Sequence, residues 1–202
     1  MNHVLKCTFL LAAAAAVAPA PGASQGRPAG MSAAAASPEA RLAAEREAMA
    51  RLSYMDGVWR GRGWTITPAG RHEVTQTERI GPFLGGSVRM IEGRGYDSKG
   101  SVAFNALGVI SFDPATGRYS IASWAQGYSG TFPLRPTADG YIWEVPAGPG
   151  AITRYTATIG NGRWREIGER IVGDAPPVQV FEMNLKRVSS TDWPTGKPVP
   201  MR

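Results

Sequence analysis

A chain of 202 residues with 22 basic and 16 acidic side chains and a formal net charge of +6 has room for one domain with short appendages. The basic residues stand singly along the chain, interleaved with Glu, which excludes the clustered basic face that a phosphate backbone requires, so no nucleic-acid partner is expected. The one cysteine, Cys7, precedes the apolar run that follows it, and a lipid-anchored cysteine would have to lie after that run.

Residues 1–23 read as a secretory signal peptide: Lys6 in a polar lead, an apolar run from Cys7 to Ala18, then the small-residue and proline region "PAPGASQ". An apolar run of about 7–15 residues is too short to span a bilayer as a helix. The expected location is periplasmic or secreted, with cleavage near residues 20–24. The exported chain then has no cysteine, and its fold rests on a core without disulfides. No later segment is apolar for long enough to form a transmembrane helix.

Residues 24–37 are Ala, Gly, Pro and Ser with little to bury, the composition of a disordered lead. Ser37-Pro38-Glu39 is a helix start, with a capping hydroxyl, a proline of preset φ and an acid at the positive end of the dipole. Leu42, Met49 and Leu52 recur at helical spacing, which predicts a helix over 38–55 ending at Asp56-Gly57.

From residue 56 to 188 the texture changes to β-branched and aromatic runs separated by turn pairs. Strands are predicted at 58–67, 71–80, 86–96, 101–112, 118–126, 128–135, 140–146, 150–159, 163–172 and 178–188. Ten strands joined by short turns imply an antiparallel up-and-down meander, and closing it into an all-β barrel removes its two exposed edges. In "VQVFEMNLKR" Phe181, Met183, Leu185 and Arg187 share the inward parity. In "RWREIGERIV" the same reasoning turns Ile167, Ile171, Arg165 and Glu169 inward and leaves Trp164, Glu166 and Arg170 outside. Residues 189–202 form a polar, proline-rich tail, with Trp193 placed to pin it to the wall.

Gly57-x-Trp59 at the end of a short helix, together with a basic residue at the end of the last strand, resembles the calycin superfamily of lipocalins and fatty-acid-binding proteins. The resemblance implies that Trp59 plugs one end of the barrel and that Arg187 stacks on it. The strand number is closer to the nitrobindin-like and fatty-acid-binding branch than to eight-stranded lipocalins. "GVISFDPATGRYSIASW", "RWREIGERI" and "FEMNLKRV" resemble a bacterial exported family of unknown function with this fold. Nitrobindin-like proteins bind haem through a histidine in the C-terminal part of the barrel, where this sequence has none.

The lone histidine of the exported chain, His72, stands beside a turn and reads as a solvated surface residue. One histidine and no cysteine do not make a zinc site, and no carboxylate loop of calcium-binding type is present. "GYSGT" around Ser129 lacks the strand-to-helix setting of a nucleophile elbow, and Gly61 and Gly63 lack the third glycine of a dinucleotide fingerprint. No catalytic residue, metal or cofactor is assigned. The two glycines are expected to bend a barrel strand or to leave room for Trp59 and Trp64 to pack.

The expected lumen lining comprises Met90, Trp124, Trp143, Ile167, Phe181 and Met183, with Glu92, Arg154 and Glu169 as mid-strand polar residues. Such a lining suits a small apolar or amphipathic ligand, and the same residues would equally serve as the packing of a filled barrel. Arg154 could clamp a ligand carboxylate, pair with Glu169, or form a rim ion pair. Three functions follow: a ligand-binding barrel, an enzyme using a lumen carboxylate such as Glu169 as general base, or an envelope scaffold with a filled lumen. Two neighbouring lumen carboxylates of raised pKa would favour the enzyme.

Overall fold

The structure, a computed structural model, describes residues 37–194. The expected signal peptide, nearly all of the lead and the last eight residues of the tail lie outside the described residues. The helix begins where the cap predicts, because Ser37 Oγ accepts from the amide of Ala40 at 3.2 Å. It runs as α1 (Pro38–Ala50), and the rest of the expected 38–55 segment tightens into a 3-10 turn at Ser53–Met55.

Ten strands follow: β1 (Gly57–Thr67), β2 (Gly70–Phe83), β3 (Val88–Tyr96), β4 (Val102–Asp113), β5 (Arg118–Ala125), β6 (Tyr128–Pro136), β7 (Gly140–Pro146), β8 (Ala151–Gly160), β9 (Arg163–Val172) and β10 (Val178–Ser189). Each pairs antiparallel with its sequence neighbours, and β1 pairs with β10 to close the barrel. The meander therefore has no free edge strand at either end. No helix among the described residues is long and apolar enough to cross a membrane.

One end of the barrel is filled. Met49, Leu52 and Met55 from the helical segment meet Trp59, Ile80, Ile110 and Trp164 from the strands, all essentially without solvent exposure. Gly57 opens β1 with φ +151°, and a Cβ there would lie 3.1 Å from Ser189 O and 3.4 Å from Trp59 Nε1. Trp59 Nε1 then donates to Met55 O at 2.9 Å, tying the plug to the end of the helical segment. Arg187 lies with its guanidinium carbon 4.6 Å from the centre of the Trp59 ring and donates to Tyr54 O.

Arg89 of β3 fastens the helix to the barrel. It grips Asp56 through both carboxylate oxygens, at 2.7 and 3.0 Å, and donates to Met49 O. Its buried charge is thereby paired and its donors used, which makes burial tolerable. The remaining ends of the structure are held from outside. Trp193 packs edge-on against Phe83 with ring centres 5.5 Å apart, where Gly81 leaves the room for it.

Gly61 and Gly63 leave room for neighbouring strands and not for Trp59 and Trp64. A Cβ on Gly61 would lie 1.9 Å from Asn184 O, so this glycine permits the β1 and β10 backbones to approach. Gly63 lies beside Met183 and Gln76, on the inner wall.

Candidate functional site

Above the filled end the barrel encloses a cavity of about 840 Å³. The hairpins joining β1 to β2, β3 to β4 and β5 to β6 ring its mouth, with Thr67, His72, Asp97, Val102 and Tyr128 on the rim. Apolar and aromatic side chains make most of the wall: Ile91, Ile121, Phe132, Trp143, Tyr155 and Phe181 among them. A cavity of this size and lining has the dimensions of a small-molecule site.

The aromatic residues form a connected set. Trp143 and Tyr155 stack at 4.8 Å with planes 21° apart, and Phe181 stands edge-on to Tyr155 at 5.6 Å. Gly168 makes room for this arrangement, since a Cβ there would meet Tyr155 and Phe181 at 2.9 Å. Between β6 and β7 only three residue pairs form a ladder, from Leu134–Trp143 to Pro136–Tyr141. Pro133 has no N–H to extend it, and beyond that point Phe132 and Val145 face the cavity.

At the floor stand two carboxyl groups, Glu78 of β2 and Glu166 of β9, 7% and 5% exposed. Glu166 accepts from Tyr141 Oη at 2.8 Å and from Trp143 Nε1 at 3.1 Å, one donor on each oxygen. Burial pushes its pKa up, and these donors pull it part of the way back. The Trp164 indole N–H also favours the charged form, without making a hydrogen bond of normal geometry. Glu78 accepts from Gln76 Nε2 at 2.7 Å. Burial is the main cause that lifts its pKa to about 8, against the Gln76 bond and with the charges of Glu166 and Glu92 adding to it.

Glycines on both neighbouring strands accommodate this floor. Gly93 pairs with Glu78 across β2 and β3, and a Cβ on it would come within 2.9 Å of both carboxylate oxygens. Gly95 pairs with Gln76, and its Cβ would lie 3.2 Å from Gln76 Oε1. On the other side Gly61 and Gly63 pair with Gln76 and Val74. The Gly-x-Gly pairs of β1 and β3 thus flank the polar stretch of β2.

Of the residues assigned to the lumen from sequence, Trp143, Phe181 and Met183 line the cavity, and the other six do not. Met90 and Glu92 alternate with the lining residues Ile91 and Gly93 and so take the outer face. Glu92 pairs there with Arg94 and, with Trp124, borders a surface hollow. Trp124 is 48% exposed. Arg154 also faces outward and donates to Glu144 at 2.7 Å, so it neither clamps a lumen ligand nor pairs with Glu169, its register neighbour.

On β9 the expected parity is reversed. Trp164 and Glu166 are buried inside, whereas Arg165 is exposed and bonded to Glu182, and Ile167 and Glu169 alternate to the outer face. Arg170 and Ile171 lie near the open rim and do not line the cavity. The physical reason is that the inner wall here carries a carboxylate and a glycine, so hydrophobicity no longer marks the inner face. His72 is also corrected: it is half-buried on the cavity rim rather than fully solvated. No group of three or more His, Cys, Asp or Glu with metal-binding geometry occurs among the described residues.

No protein-family model matches the sequence, and no curated protein matches it. Among solved structures the fold is similar to that of Rv2717c from M. tuberculosis, at a TM-score of 0.53 and 14% identity, covering 69% of this chain and 96% of that one. At that identity the likeness extends to the fold, a closed ten-stranded antiparallel barrel.

Proposed function

We propose that the protein is an exported, calycin-like barrel that binds a small, mainly apolar molecule in its lumen. The observation that supports this most is the cavity of about 840 Å³, walled by aromatic side chains and carrying polar groups at one end. A barrel serving only as a scaffold would gain more from filling that space, because empty apolar volume forfeits dispersion contacts. Export rests on the pattern of residues 1–23 described above.

Occlusion of the lumen tests this reading. Ser123 lies on the cavity wall between Gly108 of β4 and Gly130 of β6, where a larger side chain enters free space. Ser123→Trp should leave the unfolding midpoint nearly unchanged and weaken binding of a neutral aromatic probe at least tenfold in calorimetric titration. Equal binding by both proteins would place the probe outside the lumen.

A second reading is favoured by the two floor carboxyls. Glu78, kept protonated by burial, is a proton donor, and Glu166, held by two donors, is an acceptor. Such a pair suits acid–base chemistry on a bound molecule. Binding leads because no lysine or arginine among the described residues lines the cavity to hold a developing oxyanion.

A further inference from the structure

The four acidic residues on the cavity wall are Glu73 and Asp97 toward the mouth and Glu78 and Glu166 at the floor. Among the described residues no Lys or Arg lines the cavity, although the sequence contains 22 and its net charge is +6. The arginines of the neighbouring strands are turned outward onto surface acids: Arg94 to Glu92, Arg154 to Glu144 and Arg165 to Glu182. The cavity wall thus carries acids and, among the described residues, no Lys or Arg, whereas the outer face carries both signs in pairs. Packing alone does not call for this, since apolar residues of similar size at 78 and 166 would fill the floor without burying charge.

Two polar groups at the floor are incomplete. Glu78 takes its one hydrogen bond on Oε1, leaving Oε2 without a donor among the described residues, and Gly93 has no side chain to cover it. Trp164, 2% exposed and on the cavity wall, has a buried indole N–H that leans toward Glu166 without completing a hydrogen bond of normal geometry. An acceptor oxygen facing the cavity and an incompletely bonded indole N–H beside it are groups that an occupant of the lumen can satisfy.

We propose that the lumen selects a lipophilic cation, a ring-bearing apolar body with a protonated amine that donates to Glu78 Oε2 and lies among the rings of Trp143, Tyr155 and Trp164. The inference rests on the lumen-binding reading and names its ligand class. Aromatic faces attract a desolvated ammonium, and an acceptor atom beside the amine takes the Trp164 N–H. A carboxylate amphiphile, by contrast, meets Asp97 and Glu166 with no Lys or Arg among the described lining residues to pair with, since Glu73 is held by Arg71 at the surface, and repulsion disfavours it.

Binding such a cation expels the proton that Glu78 otherwise keeps until about pH 8. The groups acting on Glu78 are Gln76 on its own strand, Glu92 on β3 and Glu166 on β9, with Tyr141 of β7 facing the same pair. None of these supplies a compensating positive charge.

Calorimetric titration of the full chain with three probes of one shape tests the proposal: 2-naphthylmethylamine, 2-naphthalenemethanol and 2-naphthoate. At pH 8 the amine should bind at least tenfold more tightly than the alcohol, with naphthoate weakest. Between pH 6 and pH 7 the affinity for the amine should rise about tenfold, one proton being released, while that for the alcohol stays level. Glu78→Gln should bring the amine to within threefold of the alcohol. If that variant does not fold, the wild-type pH series decides. An alcohol or naphthoate that binds as well as the amine, or a pH-independent amine, overturns the cation inference and leaves lumen binding intact. Absence of binding by all three overturns both.

Discussion

Replacing Glu78 by glutamine should stabilise the barrel at pH 8 by about 4 kcal/mol and leave it nearly unchanged at pH 4.5, as measured by urea unfolding at the two values. Burial raises the folded-state pKa of Glu78 from its ordinary 4.5 to about 8. The folded protein therefore holds a proton that the unfolded chain has already lost in this window. The stability contributed by that proton is complete below pH 4.5 and is lost as pH rises through about 8, at up to about 1.4 kcal/mol per pH unit. Glutamine keeps an acceptor for Gln76 and cannot ionise, so it removes the slope due to Glu78. A residual slope of the same sign should persist from Glu166, whose pKa is also raised by burial. An equal effect of the substitution at both pH values would contradict a buried, proton-holding Glu78.

Trp59→Ala should cost about 3–5 kcal/mol, the range for truncating a fully buried aromatic residue. The loss is threefold in origin. The indole fills the closed end without solvent exposure, meets Trp164 edge-on at 5.7 Å, and donates to Met55 O. Its removal also strips Arg187 of the ring over which it lies. Chemical denaturation checks the magnitude, and a double-mutant cycle with Arg187→Ala should show coupling of about 0.5–2 kcal/mol. Strict additivity would mean that the guanidinium gains nothing from the ring.

The architecture was legible because it is written in period and punctuation. Turn pairs separate all ten strands, and most of the expected boundaries lie within two residues of those observed. On β10, Phe181, Met183 and Leu185 mark the inner face by hydrophobicity, and Met183 and Leu185 are buried with Phe181 on the cavity wall. The candidate site was less legible for a physical reason. Alternation identifies an inner face only where that face is apolar, and the floor of this cavity is not.

On β9, Glu166 and Gly168 share the inner face with Trp164, while Ile167 is half-buried on the outside. A hydrophobicity rule turns that strand over. On β2, His72, Val74, Gln76 and Glu78 all line the cavity, a polar run that reads as solvent-facing. The signal that could have found it is steric. Gly61 and Gly63 on one side and Gly93 and Gly95 on the other stand opposite the same short stretch of β2, and paired glycines beside a polar strand leave space for buried polar side chains.

The most direct measurement is native mass spectrometry of the full-length gene product purified without denaturant from its natural source, followed by extraction and identification of what it carries. A lumen built for a ligand predicts one small, ring-bearing amine per chain, lost from the Ser123→Trp variant. Repeated recovery of the bare chain, with no affinity for a panel of neutral and cationic aromatics, would contradict it.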